Sequence, residues 1–186
     1  MIGKWKTLAS HYLIRRPWLT ARRDEVMLPD GRINSEYYVL EYPTWVNVLA
    51  VTDDEEYVMV RQFRHGLGII ETELCAGVVE SGEEPLAAAR RELLEETGYG
   101  EGEWTLNDVV CANPGSQNNL TYCYIARGVR LLTGQQLDAT EDVEVVKLSR
   151  AELLQLMKSG ELKQALMLCS LWKYFAEYFP GEAAVR

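Results

Sequence analysis

A chain of 186 residues with 47% hydrophobic and 25% charged residues has the size and composition of one ordinary globular domain with a small extension. Its formal net charge of -9 excludes non-specific binding to a nucleic-acid backbone, which needs clustered Lys and Arg. It leaves room for a small anionic substrate, because a few local arginines or a metal can reverse the sign of a pocket. The N-terminal segment lacks the long apolar run of a signal peptide, and no stretch approaches the ~20 apolar residues of a membrane span. The four cysteines, Cys75, Cys111, Cys123 and Cys169, form no CxxC pair and fit free buried thiols in a reducing compartment, so the expected location is the cytoplasm.

In chain order, the first third reads as strands. The segment from His11 to Leu28 is followed by Pro29-Asp30-Gly31-Arg32, a turn in which Pro sets φ and Gly supplies a positive φ. The segment from Ile33 to Tyr42 returns, which predicts a hairpin around Asp30-Gly31. A second hairpin is expected from Thr44 to Gly66, turning at Asp53-Asp54-Glu55, and another strand from Ile69 to Gly77. The first helix opens at Pro85 and stops at Gly98. Strands near 104–112 and 120–129 flank Asn113-Pro114-Gly115, and a last strand precedes Ser149. Ser149 with Glu152 forms a capping box that opens a helix ending near Gly160, and a final helix spans 161–179, stopped by Pro180-Gly181. Strands, helix, strands, helices in that order predict an α+β class with a mixed sheet sandwiched between helices. Residues 1–43 read as an N-terminal antiparallel β extension and 44–186 as the main domain.

The first helix carries the chemistry. Leu86, Ala89 and Leu93 recur at helical spacing as a core stripe, while Glu92, Glu95 and Glu96 share one side. Such like charges destabilise a bare helix by roughly 0.2–0.5 kcal/mol per pair, and the nearby cations are only Arg90 and Arg91, with Arg91 placed to pair with Glu95. On composition the segment fits either a solvated acidic face or a set of oxygen ligands for a hard divalent cation such as Mg²⁺.

The spacing goes further. Gly77, five residues, Glu83, seven residues, Arg91-Glu92-Leu93, one residue, Glu95-Glu96, one residue, then Gly98-Tyr99 resembles the box of the Nudix hydrolase family. Tyr99 stands where the family usually has an aliphatic residue. The resemblance implies a Nudix fold, and Mg²⁺ (or Mn²⁺) as two or three ions. Glu92, Glu95 and Glu96 would be metal ligands together with the Ala76 carbonyl. Glu83 would orient or bind through water, and Arg91 would fix the glutamates by ion pairing. The reaction class is metal-assisted attack of water on a diphosphate.

Other segments resemble the ADP-ribose pyrophosphatase branch, a group of nucleoside diphosphate sugar hydrolases. Pro114, 16 residues beyond Gly98, is either that branch's specificity marker or plain loop punctuation. Arg64, with Arg61 next, matches a substrate-contacting arginine; three apart on a strand, the two face opposite sides. Glu73 matches a glutamate near the terminal ribose. The N-terminal region resembles a dimerisation unit whose aromatic residue stacks on the base, with Trp18 the match and Tyr37 or Tyr38 a second face. The catalytic base is expected at Glu141, with Asp138 and Glu144 behind it. Cys75 replaces a commoner proline, a substitution shared with GDP-mannose-type relatives, and Asn118 and Asn119 stand where many relatives carry a glutamate. The expected activity is hydrolysis of ADP-ribose to AMP and ribose 5-phosphate by a homodimer, with no nucleic-acid or membrane partner. GDP-mannose, another nucleoside diphosphate sugar, or a non-catalytic ligand-sensing role are the alternatives.

Overall fold

The computed structural model describes residues 2–183. The chain folds as two compact units, one of residues 1–43 with 111–120 and one of residues 44–110 with 121–186.

The smaller unit is an antiparallel three-stranded sheet of β1 (Lys6–Arg16), β2 (Leu19–Met27) and β3 (Ile33–Glu41), with β2 central. The turn at Asp30-Gly31 forms as expected, with Gly31 at φ 88. The structure adds a strand to the expected hairpin: the chain reverses at Pro17-Trp18, and β1 pairs with β2 from Lys6↔Met27 to Arg16↔Leu19. Arg22 binds Asp24 through Nε at 3.0 Å and also pairs with Glu41, tying β2 to β3. The 111–120 segment joins this unit by backbone: Leu40 N–H donates to Ser116 O at 2.7 Å, and Leu40 bridges Gln117. Side chains reinforce it, Asn119 Nδ2 donating to Pro43 O at 2.9 Å and the Tyr37 hydroxyl to Gly115 O.

The larger unit is a mixed sheet between helices. Its strands are β4 (Trp45–Thr52), β5 (Tyr57–Arg64), β6 (Ile69–Glu73), β7 (Cys75–Val78), β8 (Tyr99–Gly100), β9 (Glu103–Val110), β10 (Thr121–Leu131) and β11 (Val143–Leu148). The order runs β11-β5-β4-β10-β8, and β4 with β10 is the parallel pair. Helices are α1 (Pro85–Thr97), α2 (Arg150–Ser159), α3 (Ala165–Tyr178) and the short α4 (Pro180–Ala183).

Strand β4 is apolar on both faces, as a strand covered on both sides must be. Val46, Val48 and Ala50 pack with Ala88, Ala89 and Leu93 of α1, whereas Leu49 and Val51 pack with Leu153 and Met157 of α2 and Leu171 and Phe175 of α3. One edge of β4 is divided. Ala50 and Val51 pair with β5, but Trp45 to Val48 pair with β7. Strand β5 therefore splays away to pair with β6. The single strand expected over 69–77 is thus two, broken at the buried Leu74. The division sets β7 beside α1, where the carboxylates are.

The capping box of Ser149 and Glu152 is present and α2 ends on left-handed Gly160. The final helix starts later than expected, at Ala165, because Gln164 caps it by accepting from Leu166 N–H; Pro180 then opens α4 instead of only stopping α3. All four cysteines are free. Cys75 and Cys123 are buried and Cys111 is half-buried, but Cys169 is exposed. It lies off the stripe Met167, Ser170, Leu171, Tyr174, Phe175 that turns α3 toward the core. No helix among the described residues is long and apolar enough to cross a membrane.

Candidate active site

Helix α1 is framed as its residues dictate: Pro85 in the first turn and Gly98 in the left-handed conformation, its N–H on Leu94 O. Gly98 also has no room for a side chain, since a Cβ there meets Thr133 O at 2.2 Å. With the core stripe down, Arg91, Glu92, Glu95 and Glu96 come to one side.

Arg91 is the hub. Its Nε and Nη2 donate to Glu83 at 3.0 and 2.9 Å. Nη1 donates to Glu92 at 2.8 Å and Glu95 at 3.1 Å, and Nη2 also reaches Val78 O at 3.0 Å. One planar fork thus gathers three carboxylates and pins them to the end of β7. Glu83 responds with a pKa below the usual carboxylate range, chiefly through Arg91.

Glu96 lies apart from this fork and is only 5% exposed. Its Oε2 accepts the Ala76 N–H at 3.2 Å, and the Cys75 thiol is close enough to lower its pKa as a polar neighbour. Burial pushes its pKa up to about 7, opposed by these two groups and reinforced by the charges of Glu92 and Glu141. Glu92 is raised too, again mainly by burial and against the pull of Arg91. Burial pushes the Cys75 thiol well up, with the charge of Glu96 next. The closeness of Cys75 to Glu96 is not visible in sequence, where it reads only as a replaced proline.

Gly77 shows how closely β7 approaches α1. A Cβ on it would lie 1.9 Å from the Glu92 carboxyl carbon and 2.1 and 2.2 Å from its oxygens. The first glycine of the box is therefore the space that the Glu92 carboxylate fills.

The donor chemistry fits a hard divalent cation. The atoms gathered are carboxylate oxygens, and burial raises the pKa of both Glu92 and Glu96, an environment that added positive charge would offset. Among the described residues no three Asp, Glu, His or Cys side chains already converge as a closed ligand set; Arg91 instead holds oxygens of Glu92 and Glu95.

Arg64 sits at the end of β5 and binds Glu73 of β6 in a fork, Nε to Oε1 and Nη2 to Oε2, both at 2.6 Å. Glu73 is wholly buried. The bond to Glu73 raises the Arg64 pKa, and the charges of Glu96 and Glu71 add to the effect. Arg61 faces the other way and approaches Glu144 at 3.9 Å on the sheet edge. Glu141 is exposed in the turn before β11, its carboxylate accepting the Asp138 N–H at 2.9 Å, and its charge is felt at Glu92, Glu96 and Cys75. In the smaller unit, Trp18 is 70% exposed at the β1–β2 turn and Tyr38 is also exposed. Tyr37 packs edge-on to Trp5, and its bond to Gly115 fixes the loop that carries Pro114. His11 and His65 are exposed.

Comparison with known proteins agrees with this arrangement. Residues 5–40 match the model of the nucleoside diphosphate sugar hydrolase N-terminal domain, and residues 42–169 match the NUDIX domain. The chain is 34% identical over 161 residues to an ADP-ribose pyrophosphatase of Bacillus subtilis, covering 86% of each. It is 33% identical to a methanol dehydrogenase activator of Bacillus methanolicus, covering 84% of this chain and 85% of the other. A GDP-mannose pyrophosphatase of Salmonella arizonae is 33% identical over 57% of this chain and 59% of its own. Among solved structures, one described as an ADP compounds hydrolase superposes with a TM-score of 0.83 at 21% identity, covering 100% of this chain and 99% of that one. With the family's domain matched over 42–169 and the box residues gathered between β7 and α1, this chain belongs to the NUDIX family.

Proposed function

We propose that the chain hydrolyses the diphosphate bond of a nucleoside diphosphate sugar, with ADP-ribose as first substrate, giving AMP and ribose 5-phosphate. The observation that carries this is the carboxylate set: Arg91 gathers Glu83, Glu92 and Glu95, while buried Glu96 rests on β7 at Ala76. The relatives with this activity, similar over most of the chain, support the substrate class.

Glu92, Glu95, Glu96 and the Ala76 carbonyl would hold Mg²⁺, replaceable by Mn²⁺, as two or three ions. Bound there, the metal neutralises phosphate charge and lowers the pKa of the attacking water. The protein's own part is positional. Arg91 keeps the carboxylates from repelling one another out of register. The Ala76 N–H orients Glu96. Arg64, held by Glu73, presents its remaining guanidinium edge to a phosphate. Glu141, exposed yet electrostatically coupled to the cluster, is the assigned base.

The smaller unit, with Trp18, Tyr37 and Pro114, is assigned the base contact and dimerisation through residues 1–43. Its sheet leaves Trp5, Leu13, Trp18, Ile33 and Tyr38 exposed, an apolar display that suits a homodimer in the cytoplasm. The GDP-mannose pyrophosphatases similar to this chain favour GDP-mannose as the second reading. Incubation with Mg²⁺ and a panel of nucleoside diphosphate sugars, following nucleoside monophosphate, tests both. Turnover of ADP-ribose is expected, and loss of at least about 100-fold in kcat for Glu96→Gln. No turnover of any member removes the hydrolytic reading and leaves the sensing role.

A further inference from the structure

The chain leaves β10 at Leu131 and enters β11 at Val143, and the connection between them carries Glu141. Its first part runs along the C-terminal end of α1, where a helix leaves its last carbonyls without partners of its own. Within the cap, Leu94 O accepts the Gly98 N–H. The connection supplies further donors. Glu95 O accepts the Gln136 N–H at 2.8 Å, Glu96 O accepts Gln135 Nε2 at 2.7 Å, and Gly98 O accepts the Leu132 N–H at 2.9 Å.

The bonds from Leu132 and Gln136 are main-chain bonds, open to any side chain at those positions. The bond from Gln135 depends on its amide, and the same Nε2 also donates to Val143 O at 3.0 Å. A primary amide has two hydrogens, so one goes to α1 and the other to the first residue of β11. Residues 136–142 thereby become a loop whose ends are joined by one side chain. Leu137 anchors that loop from inside, packing against the cluster that contains Ala89, Leu93 and Val143. Beyond it the loop folds on itself: the Glu141 N–H donates to Asp138 O, and the Glu141 carboxylate accepts the Asp138 N–H, both at 2.9 Å. The Gln135 bridge fastens this closed turn to the turn of α1 that bears Glu95 and Glu96.

Resting on the proposed hydrolysis, we infer that Gln135 is a positioning residue for that reaction: its amide holds the Glu141 loop in one station relative to the carboxylates of α1. The test is a double-mutant cycle on ADP-ribose with Mg²⁺, placing Gln135→Ala in the wild type and in Glu141→Gln. Gln135→Ala is expected to lower kcat about tenfold, with KM within about twofold. Glu141→Gln alone is expected to lower kcat about 100-fold, and adding Gln135→Ala to it should cost less than about twofold more. Gln135→Glu, which turns an acceptor toward two carbonyl oxygens, should lose at least as much as Gln135→Ala. Gln136→Ala keeps its backbone N–H on Glu95 O and is the control. Amide hydrogen exchange over residues 136–142 should quicken at least about fivefold in Gln135→Ala and not in Gln136→Ala. The same tenfold loss in both backgrounds, full activity of Glu141→Gln, or unchanged exchange overturns the inference. A wild type that turns over no nucleoside diphosphate sugar refutes the hydrolytic reading instead, and exchange still decides whether Gln135 holds the loop.

Discussion

Gly77→Ala is the sharpest probe of the site, because the structure fixes its consequence. The new methyl carbon would sit 1.9 Å from the Glu92 carboxyl carbon, whereas carbon atoms meet at about 3.5 Å, so the carboxyl group must retreat by about 1.6 Å. The clash is with the tip of a flexible side chain and not with backbone, so the strand holds and Glu92 swings. Swinging takes it off Arg91 Nη1, where it now sits at 2.8 Å. Misplacing a reacting group by about 1 Å costs on the order of 100-fold in rate. The expected outcome is a melting temperature within about 4 °C of wild type, corresponding to ~1 kcal/mol, with kcat down about 100-fold and Mg²⁺ half-saturation raised. Gly134→Ala, whose Cβ meets nothing within 4 Å, is the neutral control. Full activity at unchanged Mg²⁺ requirement in Gly77→Ala would refute the assignment of Glu92 to the site.

Two further outcomes concern charge. Glu96 titrates at about 7 in the native protein against 4.5 as its ordinary value, so the native state holds a proton that the unfolded chain gives up. Its contribution is complete below about pH 4.5 and is lost as pH rises through about 7, worth roughly 3 kcal/mol, with Glu92 shifted the same way. Urea denaturation with chelator at about pH 5 and about pH 8 should show that fall, flattened in Glu96→Gln and offset by Mg²⁺; a profile of Glu96→Gln matching wild type contradicts it. Arg64→Met leaves the wholly buried Glu73 without its partner, so stability should drop by about 3 kcal/mol, more at high pH than low, and recover in the double variant with Glu73→Gln. A loss independent of pH would show that packing, not charge, links the two.

What the sequence disclosed was local. Pro85, Gly98 and the Leu86–Ala89–Leu93 spacing specify α1 within thirteen residues, and Arg91 four before Glu95 specifies their pair. The N-terminal hairpin was legible through Pro-Asp-Gly, but the extra strand was not, because Pro17-Trp18 lacks the Gly or Asn that marks a reversal. The apolar run through Leu74 hid a break that exists only because β4 changes partner, which is a tertiary event. The Glu71 carboxylate accepts backbone N–H groups of Lys163 and Gln164, 92 and 93 residues further on, and nothing near either end announces it.

The division of the chain into units has a practical side. Two family models meet end to end near residue 41, which suggests cutting there. Yet residues 111–120 leave the larger unit between β9 and β10 and take backbone partners from β3. A fragment starting at residue 44 would carry a ten-residue excursion stripped of the strand that completes it. The N-terminal piece, conversely, would lack the loop that Tyr37 and Pro43 secure. The two modules are thus laced together by a borrowed segment, and swapping either one between relatives means transplanting that segment with it.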